Sequence, residues 1–131
     1  MTIAVTRDVI DCLREEASQA APQECCGMLL GDGETIIRIE PAANVAENPL
    51  SRFEIDPAAL IDAYRAERGG GLKVIGFYHS HPNGVLEPSV RDRAKAAGDG
   101  KVWAIVAQGK IGFWRDCADG FIALSYHCAA A

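Results

Sequence analysis

From Thr6 to about residue 20, the apolar positions Val9, Ile10, Leu13 and Ala17 recur at three- and four-residue spacing, and Asp8, Arg14 and Glu15 fill the opposite face. That pattern predicts an amphipathic helix capped by Thr6 and stopped by Pro22. Met1 to Val5 carry no separate element in this reading. The pattern then changes. Cys25-Cys26-Gly27-Met28-Leu29-Leu30-Gly31 is an unbroken apolar run of strand length, as expected for a strand buried on both faces. Asp32-Gly33 signals a hairpin turn, because a two-residue primed turn needs positive φ, and Thr35 to Ile39 is the returning strand. Pro41 to Arg52 has little periodicity and reads as a loop long enough to serve function. Phe53-Glu54-Ile55 reads as a short strand, and Asp56-Pro57 as an N-cap followed by proline at the first helical position. The helix it opens runs to Arg68 and stops at Gly69-Gly70-Gly71. Leu72 to Tyr78 is a β-rich strand in which Gly76 permits a neighbouring backbone to come close. Pro88-Ser89 starts a helix reaching roughly to Ala97, and Gly98-Asp99-Gly100 ends it. Three strands close the chain: Val102 to Ala107, Ile111 to Arg115 and Phe121 to His127. This order predicts an α+β fold, an α/β/α layered domain with a central mixed sheet flanked by about three helices.

Composition narrows the function. A chain of 131 residues is expected to form one domain, 1–131. Hydrophobic residues at 49% and charged residues at 24% are those of an ordinary folded protein. A net charge of −5 with no basic stripe argues against nucleic acid and anionic lipid as partners, leaving proteins or small molecules. No apolar run reaches membrane-spanning length, and Met1-Thr2-Ile3-Ala4-Val5 does not open a signal peptide, so the expected location is the cytoplasm. The cysteines, Cys12, Cys25, Cys26, Cys117 and Cys128, are odd in number and lack Cys-x-x-Cys spacing. Neither a disulfide framework nor a thiolate zinc site is expected.

The candidate chemistry lies in Gly76-Phe77-Tyr78-His79-Ser80-His81-Pro82 and in the segment from Asn83 to Asp92. Residues i and i+2 of a strand share a side, so His79 and His81 face one point and Ser80 faces away. Ser89 and Asp92 share a face at the start of the next helix. The Pro82 to Pro88 connection is long enough to fold that face over the histidines. Two imidazole nitrogens and one carboxylate oxygen, with a fourth position left for water, suit a catalytic zinc ion. A hydrolase also needs a base. Glu87 reads either as a rim charge or as that base, and the residues alone leave the choice open.

His79-Ser80-His81-Pro82, seven residues to Ser89 and two more to Asp92, resembles the signature of the JAMM (MPN+) metalloprotease family. Pro22-Gln23-Glu24-Cys25-Cys26-Gly27 is similar to the segment where short prokaryotic members place an upstream glutamate. The resemblance runs from the first helix to the last strand. It implies an MPN-like (cytidine deaminase-like) fold, with His79, His81 and Asp92 as zinc ligands. It also implies a zinc-bound water as nucleophile, Glu24 as general base and Ser89 as donor to the developing oxyanion. Better-known members carry insertions that grip ubiquitin chains, for which this chain has no room. It is more similar to the minimal prokaryotic branch, whose substrates are small ubiquitin-like or sulfur-carrier proteins ending in Gly-Gly. An extended Gly-Gly tail would add along a sheet edge between the 41–52 and 82–87 loops, and a homodimer is compatible with the pattern.

Two other classes compete with this peptidase. A non-catalytic MPN-type scaffold would bind partners without metal, but it predicts a broken ligand set and this one is intact. A cysteine hydrolase would use Cys25 or Cys26 with a histidine, although paired apolar-run cysteines are more often small buried hydrophobes. His127 is expected at the surface, and Trp103 and Trp114 in the core or an interface.

Overall fold

The computed structural model describes residues 2–129, so Met1 and the end of the alanine tail lie outside it. In chain order the elements are β1 (Thr2–Thr6), α1 (Arg7–Ala20), β2 (Cys26–Asp32), β3 (Thr35–Ala42) and α2 (Pro57–Arg68). Next come β4 (Lys73–Ser80), α3 (Val90–Lys95), β5 (Val102–Ala107), β6 (Lys110–Cys117) and β7 (Gly120–Ala129). The strands form one mixed sheet in the order β1-β3-β2-β4-β5-β6-β7, and β7 pairs in parallel with β1 to close it into a barrel.

Most local signals hold. The Thr6 hydroxyl accepts the Val9 N–H at the start of α1, and Asp56 caps α2 with Pro57 inside its first turn. β2 is buried from Cys26 to Gly31, as its unbroken apolar run requires. A Cβ on Gly76 would stand 1.7 Å from the Val102 carbonyl oxygen, so the parallel β4–β5 pairing depends on the missing side chain there.

Several boundaries differ from the sequence reading. Thr2–Thr6 is a strand rather than a lead-in: Ile3 and Val5 point into the core, and the partners that make it a strand, β3 and β7, come from far along the chain. The β2–β3 turn falls at Gly33-Glu34, one residue later than expected. β3 continues through Pro41, which is tolerated because β1 pairs only with Thr35 and Ile36 and leaves the proline's donorless side uncovered. The Phe53–Ile55 segment makes only an isolated bridge, Ile55 to Asn44, and α3 is shorter than its pattern. The chain after α3 is diverted by the buried Asp116, whose carboxylate accepts the Ala97 and Gly98 N–H groups.

Two apolar clusters result. One gathers residues from all seven strands with Val9, Ile10 and Leu13 of α1. The other packs Ala63 of α2, with Phe53 and Ile55, onto Cys26, Met28, Leu30, Val74 and Trp103 of β2, β4 and β5. The end of β4 lies beside the second cluster, and the two histidines emerge there. No helix among the described residues is long and apolar enough to cross a membrane.

Candidate metal centre

β4 runs antiparallel to β2 and parallel to β5, with His79 opposite Cys26 on one side and Ile105 on the other. Beyond the strand's last residue the His81 N–H still reaches the Val106 carbonyl at 2.8 Å, which keeps the backbone extended through both histidines. Their Nε2 atoms stand 3.1 Å apart, and each is 3.1 Å from Asp92 Oδ2. Asp92 arrives from the first turn of α3. Ser89 and Asp92 form a reciprocal capping box there, with Ser89 Oγ accepting the Asp92 N–H at 3.0 Å and Asp92 Oδ2 accepting the Ser89 N–H at 2.8 Å. Capping and the cluster therefore share one carboxylate.

The rings are held by neighbours outside the cluster. His81 Nδ1–H donates to the Val85 carbonyl at 2.8 Å, so Nε2 is the nitrogen left facing the other two atoms. His79 is stacked on Phe53, centroids 4.1 Å apart and planes 16° off parallel, with the Trp103 ring edge-on at 5.7 Å. All three donors are buried. Burial pulls the His79 pKa down and keeps its imidazole a neutral donor. Burial also opposes charge on His81, but its bonds to Asp92 and the Val85 carbonyl prevail and raise it. For Asp92, burial works against ionisation, yet the hydrogen bonds from both histidines hold it well below the usual carboxylate range.

A metal fits this set. Corners of a tetrahedron with zinc bonds of 2.0–2.2 Å lie about 3.3–3.5 Å apart, close to the spacing found here. Among the described residues, His79, His81 and Asp92 are the group of metal-capable side chains whose donor atoms converge.

Glu24 sits just before β2, and the residue is 7% exposed. With Ser89 it lines both of two adjoining clefts. The larger, about 620 Å³, is walled by Val45, Phe53, Arg91 and Lys95. The smaller, about 310 Å³, is walled by Leu50, His81, Asn83 and Glu87. Both loops expected as walls, 41–52 and 82–87, take part. In the metal-free chain burial pushes the Glu24 carboxyl up to about 7; His81 opposes this and Asp92 adds to it.

That shift has a consequence for stability. An unfolded glutamate titrates near 4.5, so between there and about 7 the folded chain binds the extra proton. The metal-free protein should therefore lose stability as pH rises from 4.5 to 7, by on the order of 2–3 kcal/mol. Glu24→Gln should remove that dependence, and denaturant melts of both proteins at pH 5 and pH 8 check it.

Other sequence candidates fall elsewhere. Glu87 is exposed on the wall of the smaller cleft, Trp103 is in the core and His127 is at the surface. Cys25 and Cys26 are buried in the packing, and burial pushes the Cys26 thiol up to about 12, so neither is a ready thiolate at neutral pH. Sequence reasoning did not single out Phe53, Asn44 or the Val85 carbonyl, because their contacts cross loops that carry no periodic signal.

The family model for prokaryotic homologs of the JAB domain matches residues 6–117. A desampylase of Haloferax volcanii is 38% identical over 94 residues, 70% of this chain and 68% of that protein. A probable TtuB-protein conjugate cleaving protease of Thermus thermophilus is 35% identical over 96 residues, 73% of this chain and 64% of that protein, just under two thirds of its length. The crystal structure of a JAB1/MPN domain protein from Archaeoglobus fulgidus superposes with a TM-score of 0.62 at 20% identity, over 95% of this chain and 98% of that one, which shows a shared fold.

Proposed function

This chain belongs to the family of prokaryotic homologues of the JAB domain, and from that premise we propose that it is a zinc-dependent peptidase and isopeptidase. Its substrate is a small ubiquitin-like or sulfur-carrier protein, cut after a C-terminal Gly-Gly, in the cytoplasm. The peptidase class rests on the family and on relatives named for desampylation and conjugate cleavage. The observation that carries the reading is one meeting point: a buried carboxyl and a capping serine line both clefts beside a three-donor cluster.

His79, His81 and Asp92 would hold the ion. Zinc bound there supplies Lewis acidity, which lets a water lose its proton near neutral pH and draws charge from the scissile carbonyl. The remaining work falls to side chains. Glu24 takes the proton of the attacking water and returns it to the leaving amine, tasks that a carboxylate lining the cleft beside the ligand cluster can perform. Ser89 Oγ already accepts the Asp92 N–H, so its own proton is free to donate to the oxyanion as charge develops. Glycines at the end of the carrier tail fit beside the buried cluster where larger side chains would clash, and the leaving group occupies the other cleft.

The test is a carrier ending in Gly-Gly, joined in one substrate to a peptide and in another to a lysine side chain. Zinc-loaded protein should release a carrier whose mass ends at the second glycine. Chelation should stop the reaction and added zinc restore it, while iodoacetamide should spare it. Tight binding of the carrier without cleavage would favour the scaffold reading, and inhibition by iodoacetamide a cysteine hydrolase.

A further inference from the structure

We propose that Asn44 is the positioning residue for Glu24: it ties the loop between β3 and α2 to the backbone of the base and so fixes where that carboxylate stands. The proposal rests on Glu24 being the base of the proposed peptidase.

Glu24 lies outside the regular ladder, since β2 begins at Cys26. Neighbouring strands therefore do not position it, and its backbone is bound in other ways. Its N–H donates to the Pro49 carbonyl at 2.8 Å, and its carbonyl accepts Asn44 Nδ2 at 2.9 Å. One residue on, the Cys25 N–H donates to Ser80 Oγ at 2.9 Å and the Cys25 carbonyl accepts the Ser80 N–H at 3.1 Å. Ser80 stands between the two histidines in sequence, so the histidine strand grips the chain on one side of Glu24 and the loop grips it on the other.

Asn44 organises the loop's side of this bracket. A carboxamide offers two N–H donors and an oxygen with two lone pairs, and all four are used. Nδ2 donates to the Glu24 carbonyl and to the Arg52 carbonyl at 3.0 Å. Oδ1 accepts the Ala46 N–H at 3.1 Å and the Glu54 N–H at 3.0 Å. The oxygen thus shapes the loop and the nitrogen attaches it. No other side chain type presents two donors and two acceptor positions from so short a stem, and a base displaced by about 1 Å loses on the order of a hundredfold in rate.

This division makes a discriminating variant available. Asn44→Asp keeps the oxygen that accepts from Ala46 and Glu54, and it places a second oxygen against the Glu24 and Arg52 carbonyls. In zinc-loaded protein acting on the Gly-Gly fusion, kcat should fall by about 30- to 100-fold with KM within about twofold. Zinc content should be unchanged. Asn44→Ala loses both functions and should raise KM as well. Amide hydrogen exchange gives an arm that needs no activity: in Asn44→Asp the Glu24 amide should exchange faster, while those of Ala46 and Glu54 stay protected.

A kcat within twofold of the parent, an unchanged Glu24 amide, or loss of zinc together with activity would each overturn the proposal. If the parent protein itself cleaves no fusion, the peptidase reading fails, and the exchange data still decide whether Asn44 holds Glu24.

Discussion

Glu24→Gln should lower kcat on a Gly-Gly fusion by about a thousandfold while the protein keeps its zinc. Glutamine has nearly the same shape and can still hydrogen-bond a water, but it cannot accept that water's proton at any working pH. The three donor atoms contact one another and the Ser89 N–H, while the Val85 carbonyl and the Phe53 ring hold the imidazoles that carry two of them, and none of these contacts involves the Glu24 side chain. Metal content should therefore survive the change, which separates a lost base from a lost site. Removing a buried carboxyl that resists ionisation should leave the metal-free protein at least as stable above pH 7. The measurements are kcat, zinc per chain and a melt at pH 8. Unchanged cleavage at full zinc occupancy would take the proton-transfer role away from Glu24.

Asp92 should give the second large effect, because a single oxygen serves two structures. Oδ2 meets both histidine nitrogens and also accepts the Ser89 N–H that opens α3. Asp92→Ala should abolish stoichiometric zinc and reduce cleavage to background, since two imidazoles alone make a poor site. It should also loosen the start of α3, at a cost of about 1 kcal/mol, or roughly 3–5 °C in melting temperature for a chain of this size. Asp92→Asn divides these losses: its amide oxygen can still serve the cap, but the negative charge is gone. Both variants should lose zinc and lower the melting temperature of the metal-free protein, since the charge that both histidines favour is gone in each, and alanine should lower it further because it also loses the cap. Full zinc retention by Asp92→Ala would refute the assignment of this cluster as the metal site.

The site was legible in the sequence to the extent that it is local. Alternation along a strand places His79 and His81 on one side, and three-residue spacing at a helix start joins Ser89 to Asp92. Both relations hold in the structure. The ends of α1 and α2 were equally readable, because Thr6, Asp56 and Pro57 act on groups within one turn. β1 was within reach of the same reasoning, since Ile3 and Val5 alternate inward, but five residues next to a strong helix signal give little to count.

The chain's sequence by itself determined which side chains could carry the chemistry, since spacing within a strand or a helix turn needs nothing from the rest of the fold. Only the tertiary structure decided whether they meet. The barrel closes through β1 and β7, at opposite ends of the chain. The antiparallel pairing of β2 with β4 sets Cys26 opposite His79 and so brings Glu24 to the cluster. Asn44, Phe53 and the Val85 carbonyl then hold the Glu24 backbone and the two imidazoles across loops. Such contacts depend on register between segments far apart in sequence, which the spacing within any one segment does not encode.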